Sequence, residues 1–357
     1  MRHDTEAFRL ASVAGLGPHG EFPAPADQLH VSAANEARAR ASGFRVAVVL
    51  HTTTSDWSRQ QLEGITLTLR GFGASVAEVI DCDFRVDRQV AALEELAASR
   101  PDGVISIPLD NLRTADAHRK LADAGVRLVL MDNAPVGMLA RRHYVSVVSG
   151  DNFGLGQVAA ELLSAHVPVE GTIGIVGFGR DFYVTNEREI AFRKWVSERR
   201  PDVTIRAAQF AEPIAAGDVA MRLLRGIPAI DGLFVVWDVP TMHVVRALRA
   251  ARTTVPITTI DLGNDVAIEL AMGDLVKGVG AQQPYDLGVA EATATIMALV
   301  EEEPPPWIVI PALSVDRGNV REAYEAVWHA SAPPPLRRAL EQAPGEDAAP
   351  YEEEAKP

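Results

Sequence analysis

Cysteine is almost absent from this chain. Cys82 is the only one among 357 residues, so no disulfide can form within the chain and no metal site built on several cysteines is available. Long apolar runs are also missing, and none approaches the length of a membrane span. The first residues do not show the basic start and apolar stretch of a secretory signal. As written, the chain is therefore expected to be cytoplasmic. The alternative that a different native start carries an export signal is left open.

Positive charge is scarce as well. The chain has 34 Lys and Arg residues against 48 Asp and Glu residues, and its net charge is -14. Nucleic-acid binding by the bulk of such an acidic chain is not expected, because it would have to neutralise phosphates. Part of the excess lies among Pro and Ala at the end of the chain, in Glu341, Glu346, Asp347, Glu352, Glu353 and Glu354. This composition predicts a disordered acidic tail over residues 331–357.

Catalytic motifs are missing too. The chain has no nucleophile elbow, no His-Glu-x-x-His and no Walker loop. Residues 15–20 match the glycine spacing of a dinucleotide loop but follow no strand, and residues 177–179 follow a strand but lack the third glycine. The sequence therefore predicts a protein that is not an enzyme and that holds no cofactor and no metal.

What the chain does have is two trains of apolar runs separated by amphipathic helical patterns. The runs cover residues 45–50, 75–80, 103–107 and 126–132, and then 172–176, 203–205, 232–236 and 257–260. Such runs, alternating with helices, are typical of buried parallel strands in βαβ units. We therefore predict an α/β protein with two doubly wound parallel-sheet lobes and a cleft between them, after an N-terminal extension over residues 1–43.

Polar and aromatic side chains stand at or near the ends of these strands. They are His51, Trp57, Asp132, Asn133, Trp237, Asp238, Asp261 and Gln282. Each of them could equally be a helix cap or a core residue. Their joint placement favours a site, because open parallel sheets bind ligands at the carboxyl ends of the strands. Aromatic faces beside carboxylates and amides suit a polyhydroxylated ligand.

The chain resembles the type I periplasmic sugar-binding proteins and the related effector domains of LacI-type repressors, over roughly residues 44–328. Segments in the same order carry the likeness: residues 46–49 followed by Trp57 and 63–64, then 101–105, 129–132, 151–156, 188–192, 281–285 and Gly288. Their order and spacing together are fairly specific.

In ribose-binding relatives, an aromatic residue stacks on the sugar while an aspartate and an arginine bind it, and the matching positions are Trp57, Asp132 and Arg188. Two of the positions differ from the usual pattern. Asn133 stands where an arginine often follows the aspartate, and Trp237 stands where asparagine is usual, so the resemblance implies a ligand unlike ribose and a more apolar pocket. The complete predicted ligand-binding set is His51, Ser55, Trp57, Asp132, Asn133, Arg188, Trp237, Asp238, Asp261 and Gln282.

The resemblance also implies a three-stranded hinge between the lobes, with crossings near residues 149–150, 282–283 and 311. Lobe 1 would then hold residues 44–149 and 283–311, and lobe 2 would hold residues 150–282 and 312–330. Residues 1–43 show no convincing pair of helices for a helix-turn-helix, which disfavours a DNA-binding repressor.

Two functional hypotheses follow from these features. In the first, a solute-binding protein closes on a sugar or polyol and delivers it to the permease of an ABC transporter, which places it in the periplasm. In the second, a cytoplasmic sensor reports the same kind of ligand to a signalling partner. An α/β enzyme with an unrecognised site has the weakest support.

Overall fold

The computed structural model describes residue 13 and residues 15–226 and 230–342. Its strands are β1 Ala24–Pro25, β2 Arg45–Leu50, β3 Ser75–Asp81, β4 Gly103–Ser106, β5 Arg127–Met131, β6 Ser146–Gly150, β7 Thr172–Phe178, β8 Thr204–Phe210, β9 Gly232–Val235, β10 Ile257–Ile260, β11 Val276–Ala281, β12 Trp307–Ile310 and β13 Leu313–Val315. Its helices are α1 Ala33–Ser42, α2 Asp56–Gly71, α3 Val86–Ser99, α4 Ala115–Asp123, α5 Asn152–Ser164, α6 Tyr183–Arg199, α7 Ala216–Gly226, α8 Asp238–Ala250, α9 Asn264–Met272, α10 Pro284–Leu299, α11 Val320–Trp328 and α12 Pro334–Glu341.

The first sheet is parallel throughout, in the order β1-β12-β6-β5-β4-β2-β3. Its central strands β2, β4, β5 and β6 are almost entirely buried, as expected for strands covered on both faces. In β2, Val46 pairs with Gly103 of β4 and Val76 of β3. The apolar runs of the first train therefore form the core of one lobe, and we use the predicted boundaries to name it lobe 1.

The second sheet, in lobe 2, has the order β13-β11-β10-β9-β7-β8. It is parallel except that β13 runs antiparallel to β11, with Leu313 opposite Ala281. The prediction of an all-parallel sheet was wrong at this edge. The reason is that β11 ends at the boundary between the lobes, whereas β13 begins there. The chain enters β13 directly from β12, without an intervening helix.

Three segments cross between the sheets. Gly150 ends β6 and leads into α5, Gln282 and Gln283 join β11 to α10, and Pro311 joins β12 to β13. The predicted two-lobe α/β architecture with a three-stranded hinge is confirmed.

The N-terminal extension contributes to lobe 1, contrary to the expectation that it lacks strands. Ala24–Pro25 pairs with β12 as a parallel edge strand. Helix α1 is held by the Glu302 carboxylate, which accepts hydrogen bonds from the side chains of Ser32 and Asn35 at 2.7 and 2.6 Å. A strand of two residues is too short to show an alternation of apolar and polar residues in the sequence. Its position is set by its pairing with β12. Residues 1–12 and 14 lie outside the described residues.

The predicted disorder from residue 331 is also wrong for the part of this segment that the structure describes. Pro334–Glu341 forms α12, with Leu336 fully buried. Proline favours the first turn of a helix, so the proline run starts this helix rather than ending regular structure. Residues 343–357, which hold most of the acidic side chains of the predicted tail, lie outside the described residues. Within the described ranges, no helix combines the length and apolar character needed to cross a membrane.

Candidate ligand-binding site

Two aspartates occupy equivalent places in the two lobes. Asp132 follows β5 and Asp261 follows β10, and their φ angles are +62° and +72°. Their backbone N–H groups donate to Val148 O at 2.8 Å and Gly280 O at 3.0 Å on the neighbouring strands. Left-handed backbone is uncommon for non-glycine residues and clusters at functional sites, where the surrounding structure holds it. The fold therefore fixes both carboxylates at the carboxyl edge of their sheets.

A buried chain of polar side chains joins these two aspartates. Arg188 Nε donates to Asn152 Oδ1 at 3.1 Å, and Asn152 Nδ2 donates to Asp132 Oδ1 at 3.0 Å. Arg188 Nη1 also lies 3.5 Å from Asp261 Oδ2 and 3.3 Å from Val236 O. Only 3% of Arg188 is exposed. The arginine predicted from the resemblance thus binds Asp261 directly and reaches Asp132 of lobe 1 through Asn152.

Gln282, at the second crossing, extends this network. Its Nε2 donates to Asp261 Oδ1 at 2.8 Å, while its Oε1 is buried without a hydrogen-bond partner among the described residues. A Cβ added at Gly150 would lie 2.6 Å from that oxygen, so glycine at this position lets the Gln282 side chain approach the first hinge segment closely. The site therefore holds a buried acceptor that no described group satisfies.

Asp238 opens α8 beside this network. Its Oδ1 accepts from the Val239 backbone N–H at 2.7 Å. Nearby, Asp56 of lobe 1 accepts hydrogen bonds from the backbone and side-chain nitrogens of Asn264 in lobe 2, at 2.9 and 3.1 Å. The Asp56–Asn264 contact joins the two lobes near Asp238.

Burial shifts the protonation of these groups. It raises the pKa of Asp132 to about 6, against the opposing effect of Arg188 and of the Asn152 hydrogen bond. Burial, and then the charge of Asp261, raise the pKa of Asp238 well above its usual value. Burial lowers the pKa of His51 to about 4, so this imidazole is neutral at physiological pH. The cleft therefore holds more buried carboxyl groups than buried positively charged groups.

An aromatic wall borders the polar network. The His51 ring lies 5.5 Å from Trp57, 5.0 Å from Phe84 and 6.2 Å from Phe182, measured between ring centroids. Phe84 belongs to lobe 1 and Phe182 to lobe 2, and their centroids are 6.3 Å apart. Trp57 Nε1 and His51 Nδ1 are buried without hydrogen-bond partners in the described part of the chain. The wall thus combines flat apolar faces with polar atoms that a ligand could satisfy.

Trp237 belongs to a second aromatic group in lobe 2. Its ring centroid lies 5.2 Å from that of Phe178 and 5.3 Å from that of Phe210. Phe178 also lines an opening of about 420 Å³ between the lobes, across which Arg180 Nη1 donates to Phe84 O at 3.1 Å. Phe84 and Phe182 of the aromatic wall also line this opening.

Comparison with known families decides the assignment. Residues 46–303, well over half of the chain, match the sequence model of the family described as the periplasmic binding protein domain. The chain belongs to this family. The predicted family resemblance is therefore confirmed, while none of the curated proteins matches the chain in sequence.

Solved structures of other periplasmic binding proteins share the fold. An ABC transporter solute-binding protein from Agrobacterium vitis, bound to alpha-D-tagatopyranose, has a TM-score of 0.72 and 20% identity over 78% of this chain and 96% of that chain. A carbohydrate transporter solute-binding protein from Agrobacterium radiobacter, in complex with D-arabinose, has a TM-score of 0.71 and 19% identity over 78% and 96%. A second A. vitis protein, with bound allitol, has a TM-score of 0.68 and 20% identity over 79% and 98%.

Two of the predicted site residues of this periplasmic binding protein are engaged elsewhere. Ser55 caps α2 by accepting from Ser58 N at 3.1 Å, and it donates to Ser58 Oγ at 2.9 Å. Asn133 donates to the side-chain oxygen of Asn111 within lobe 1. The structure does not bring either side chain into the Arg188 network, and their contact with a ligand stays a prediction.

Sequence reasoning missed three kinds of residue in this binding protein. Asn152 was noticed only as part of a family-like segment, although its place directly after the first crossing was a usable signal. Asp56 had no signal in the sequence, because its pairing with Asn264 depends on the contact between the lobes. Phe84 lies in the loop after β3 and Phe182 in the loop after β7, so their positions after apolar strands were a usable signal.

Proposed function

We propose that this protein is a solute-binding protein that closes its two lobes on a sugar or polyol and delivers it to an ABC transporter permease. The observation that carries the proposal is the buried network in which Arg188 spans from Asp132 of lobe 1, through Asn152, to Asp261 of lobe 2. Groups from both lobes must meet for a ligand to draw the lobes together.

The chemistry of the cleft supports a polyhydroxylated ligand. Carboxylates and the free Gln282 oxygen accept hydrogen bonds from hydroxyl groups, while Arg188 and the Trp57 indole N–H donate to hydroxyl oxygens. The faces of Trp57 and Phe84 can cover the C–H side of a sugar ring. The family relatives that bind tagatopyranose, D-arabinose and allitol make sugars and polyols the first ligands to test.

A thermal-shift screen of the purified chain tests the proposal directly. The panel holds pentoses, hexoses, polyols and nucleosides, and each hit is measured again by isothermal titration calorimetry. A ligand at 100 times its Kd stabilises the folded state by about 2.7 kcal/mol, which raises the melting temperature measurably. Failure of every sugar and polyol to shift the melting temperature contradicts the proposal.

The transport role adds a requirement of location. A receptor for a permease works outside the cytoplasmic membrane, so fractionation of native cells should recover the protein with periplasmic markers. Recovery of a sugar-binding protein with cytoplasmic markers instead contradicts delivery to a permease and favours the sensor hypothesis. The binding measurement and the fractionation together separate the two roles.

A further inference from the structure

The charges buried in the cleft do not balance. Asp132, Asp238 and Asp261 are 5%, 9% and 7% exposed, and Arg188 is the buried cation among them. Three carboxylates therefore face one guanidinium. His51, the other basic group facing this region, does not offset the excess, because burial lowers its pKa to about 4. Burying an unpaired carboxylate is strongly unfavourable unless a proton or a cation neutralises it.

Asp238 is the carboxylate with the least compensation. Within the described part of the chain, its side chain accepts one hydrogen bond, from the Val239 backbone N–H, and forms no ion pair. The second oxygen lies against Gly263, where an added Cβ would be 2.3 Å away. Neighbouring Asp56 adds negative charge and directs its own carboxylate to Arg59 and Asn264.

An independent observation points to a ligand at the same place. Gln282 is 4% exposed, and its Oε1 has no hydrogen-bond partner among the described residues, although its Nε2 is bound to Asp261. The free atom is an acceptor, as are the carboxylate oxygens around it. A ligand group with several N–H donors would satisfy the free Gln282 oxygen together with the carboxylate oxygens beside it, whereas the free Trp57 N–H belongs to the aromatic wall.

An ammonium group meets both needs, since it carries one positive charge and three donors. A neutral hydroxyl supplies a single donor and no charge, so the buried carboxyl groups must then keep their protons. We propose that the cleft selects a polyhydroxylated ligand that carries an amine, such as an amino sugar or an amino polyol, over the neutral sugar or polyol of the same shape. This proposal rests on the proposed function, because it concerns the ligand class of the same cleft.

Matched ligand pairs test it by isothermal titration calorimetry at pH 7. The pairs are glucose with glucosamine, galactose with galactosamine, and sorbitol with 1-amino-1-deoxysorbitol, and the N-acetylated amino sugars are controls that keep the nitrogen without its charge. We expect the amine of at least one pair to bind at least tenfold more tightly than its neutral partner and its N-acetyl form.

Asp238→Asn should remove this preference while leaving the shape of the pocket nearly unchanged. The matched control is Asp218→Asn, because Asp218 is also an acidic residue in the first turn of a helix but is exposed.

A second readout, the release of protons on binding, does not depend on the variant. Binding of an amine should displace protons held by the buried carboxyl groups, so the heat of binding should vary with the ionisation enthalpy of the buffer.

The possible outcomes are distinguishable. If a neutral sugar or polyol binds as tightly as its amine, the amine proposal is overturned and the proposed function stands. If neither member of any pair binds, the amine proposal is contradicted, and the proposed function is contradicted only when every sugar and polyol of the thermal-shift panel fails as well. If the amine is preferred but Asp238→Asn keeps the preference and no protons are released, the assignment to the buried carboxylates is wrong.

Discussion

The guanidinium of Arg188 lies 3.5 Å from the carboxylate of Asp261, and the two side chains are only 4% and 10% exposed. An ion pair at this depth is only weak support for stability in itself, because both groups lose their hydration. Its removal is different, since one charge is then left buried without its partner. The proposed binding site includes this pair.

Replacing Arg188 should weaken ligand binding strongly. Arg188→Ala removes the donor shared by Asn152 and Asp261, so we expect a loss of ligand affinity of about 3 kcal/mol and some loss of stability. The measurements are the Kd by calorimetry and the circular dichroism spectrum. Arg193→Ala, on the same helix and 41% exposed in its side chain, should leave the Kd unchanged. Equal affinities for the two variants would remove Arg188 from the site.

A methyl group added at position 150 should displace the side chain of Gln282 at the hinge. In Gly150→Ala the new Cβ meets Gln282 Oε1 at 2.6 Å, so the flexible end of this side chain must move and its bond to Asp261 weakens. We expect the affinity for the ligand to fall by about 1 kcal/mol, with the fold retained. Gly71→Ala is the control, because nothing lies within 4 Å of its added Cβ. An unchanged Kd for Gly150→Ala would mean that Gln282 does not contribute to binding.

Glu291 should make the stability of the protein depend on pH. It lies fully buried in α10, where its Oε1 accepts from Gln61 Nε2 at 2.7 Å. Burial, with the charge of Asp132 adding to it, raises the pKa of Glu291 well above its usual value. A carboxyl group with a raised pKa in the folded state contributes its stability at low pH. That contribution is lost as the pH rises from about 4.5 through the folded-state pKa.

Glu291→Gln keeps a neutral group of the same size, so its stability advantage over the wild type should grow with pH across this window. Urea unfolding from pH 4 to pH 9 measures the effect. Glu301→Gln, at a side chain that is 72% exposed, should show no such trend. A constant difference between Glu291→Gln and the wild type at all pH values would contradict the raised pKa.

Helix α12 should be an integral part of lobe 2. Leu336 is fully buried, so Leu336→Ala should lower the free energy of unfolding by about 2–5 kcal/mol. Its neighbour Arg337 is exposed, and Arg337→Ala should change stability by no more than about 0.5 kcal/mol. Denaturant unfolding of both variants provides the comparison. A stable Leu336→Ala variant would mean that the helix is dispensable.

The sequence by itself determined the class of fold and the general position of the site. Residues 46–50 and 232–235 are short runs of consecutive apolar or small residues, which are typical of strands covered on both faces. Since parallel strands end at one edge of a sheet, Asp132 and Asp261 could be placed in the cleft from local pattern alone. The resemblance added Arg188, whose position within a long helix has no local signal for binding.

Tertiary structure decided the features that depend on two distant segments meeting. The direction of β13, the pairing of Ala24–Pro25 with β12 and the burial of Leu336 are set by the partners that these segments find. The same holds for Asn152 between Asp132 and Arg188, and for the free oxygen of Gln282. Hydrophobic periodicity records which face of an element is buried. It carries no information about which polar atoms remain unpaired once the lobes have come together, and the ligand proposed for this protein is inferred from those atoms.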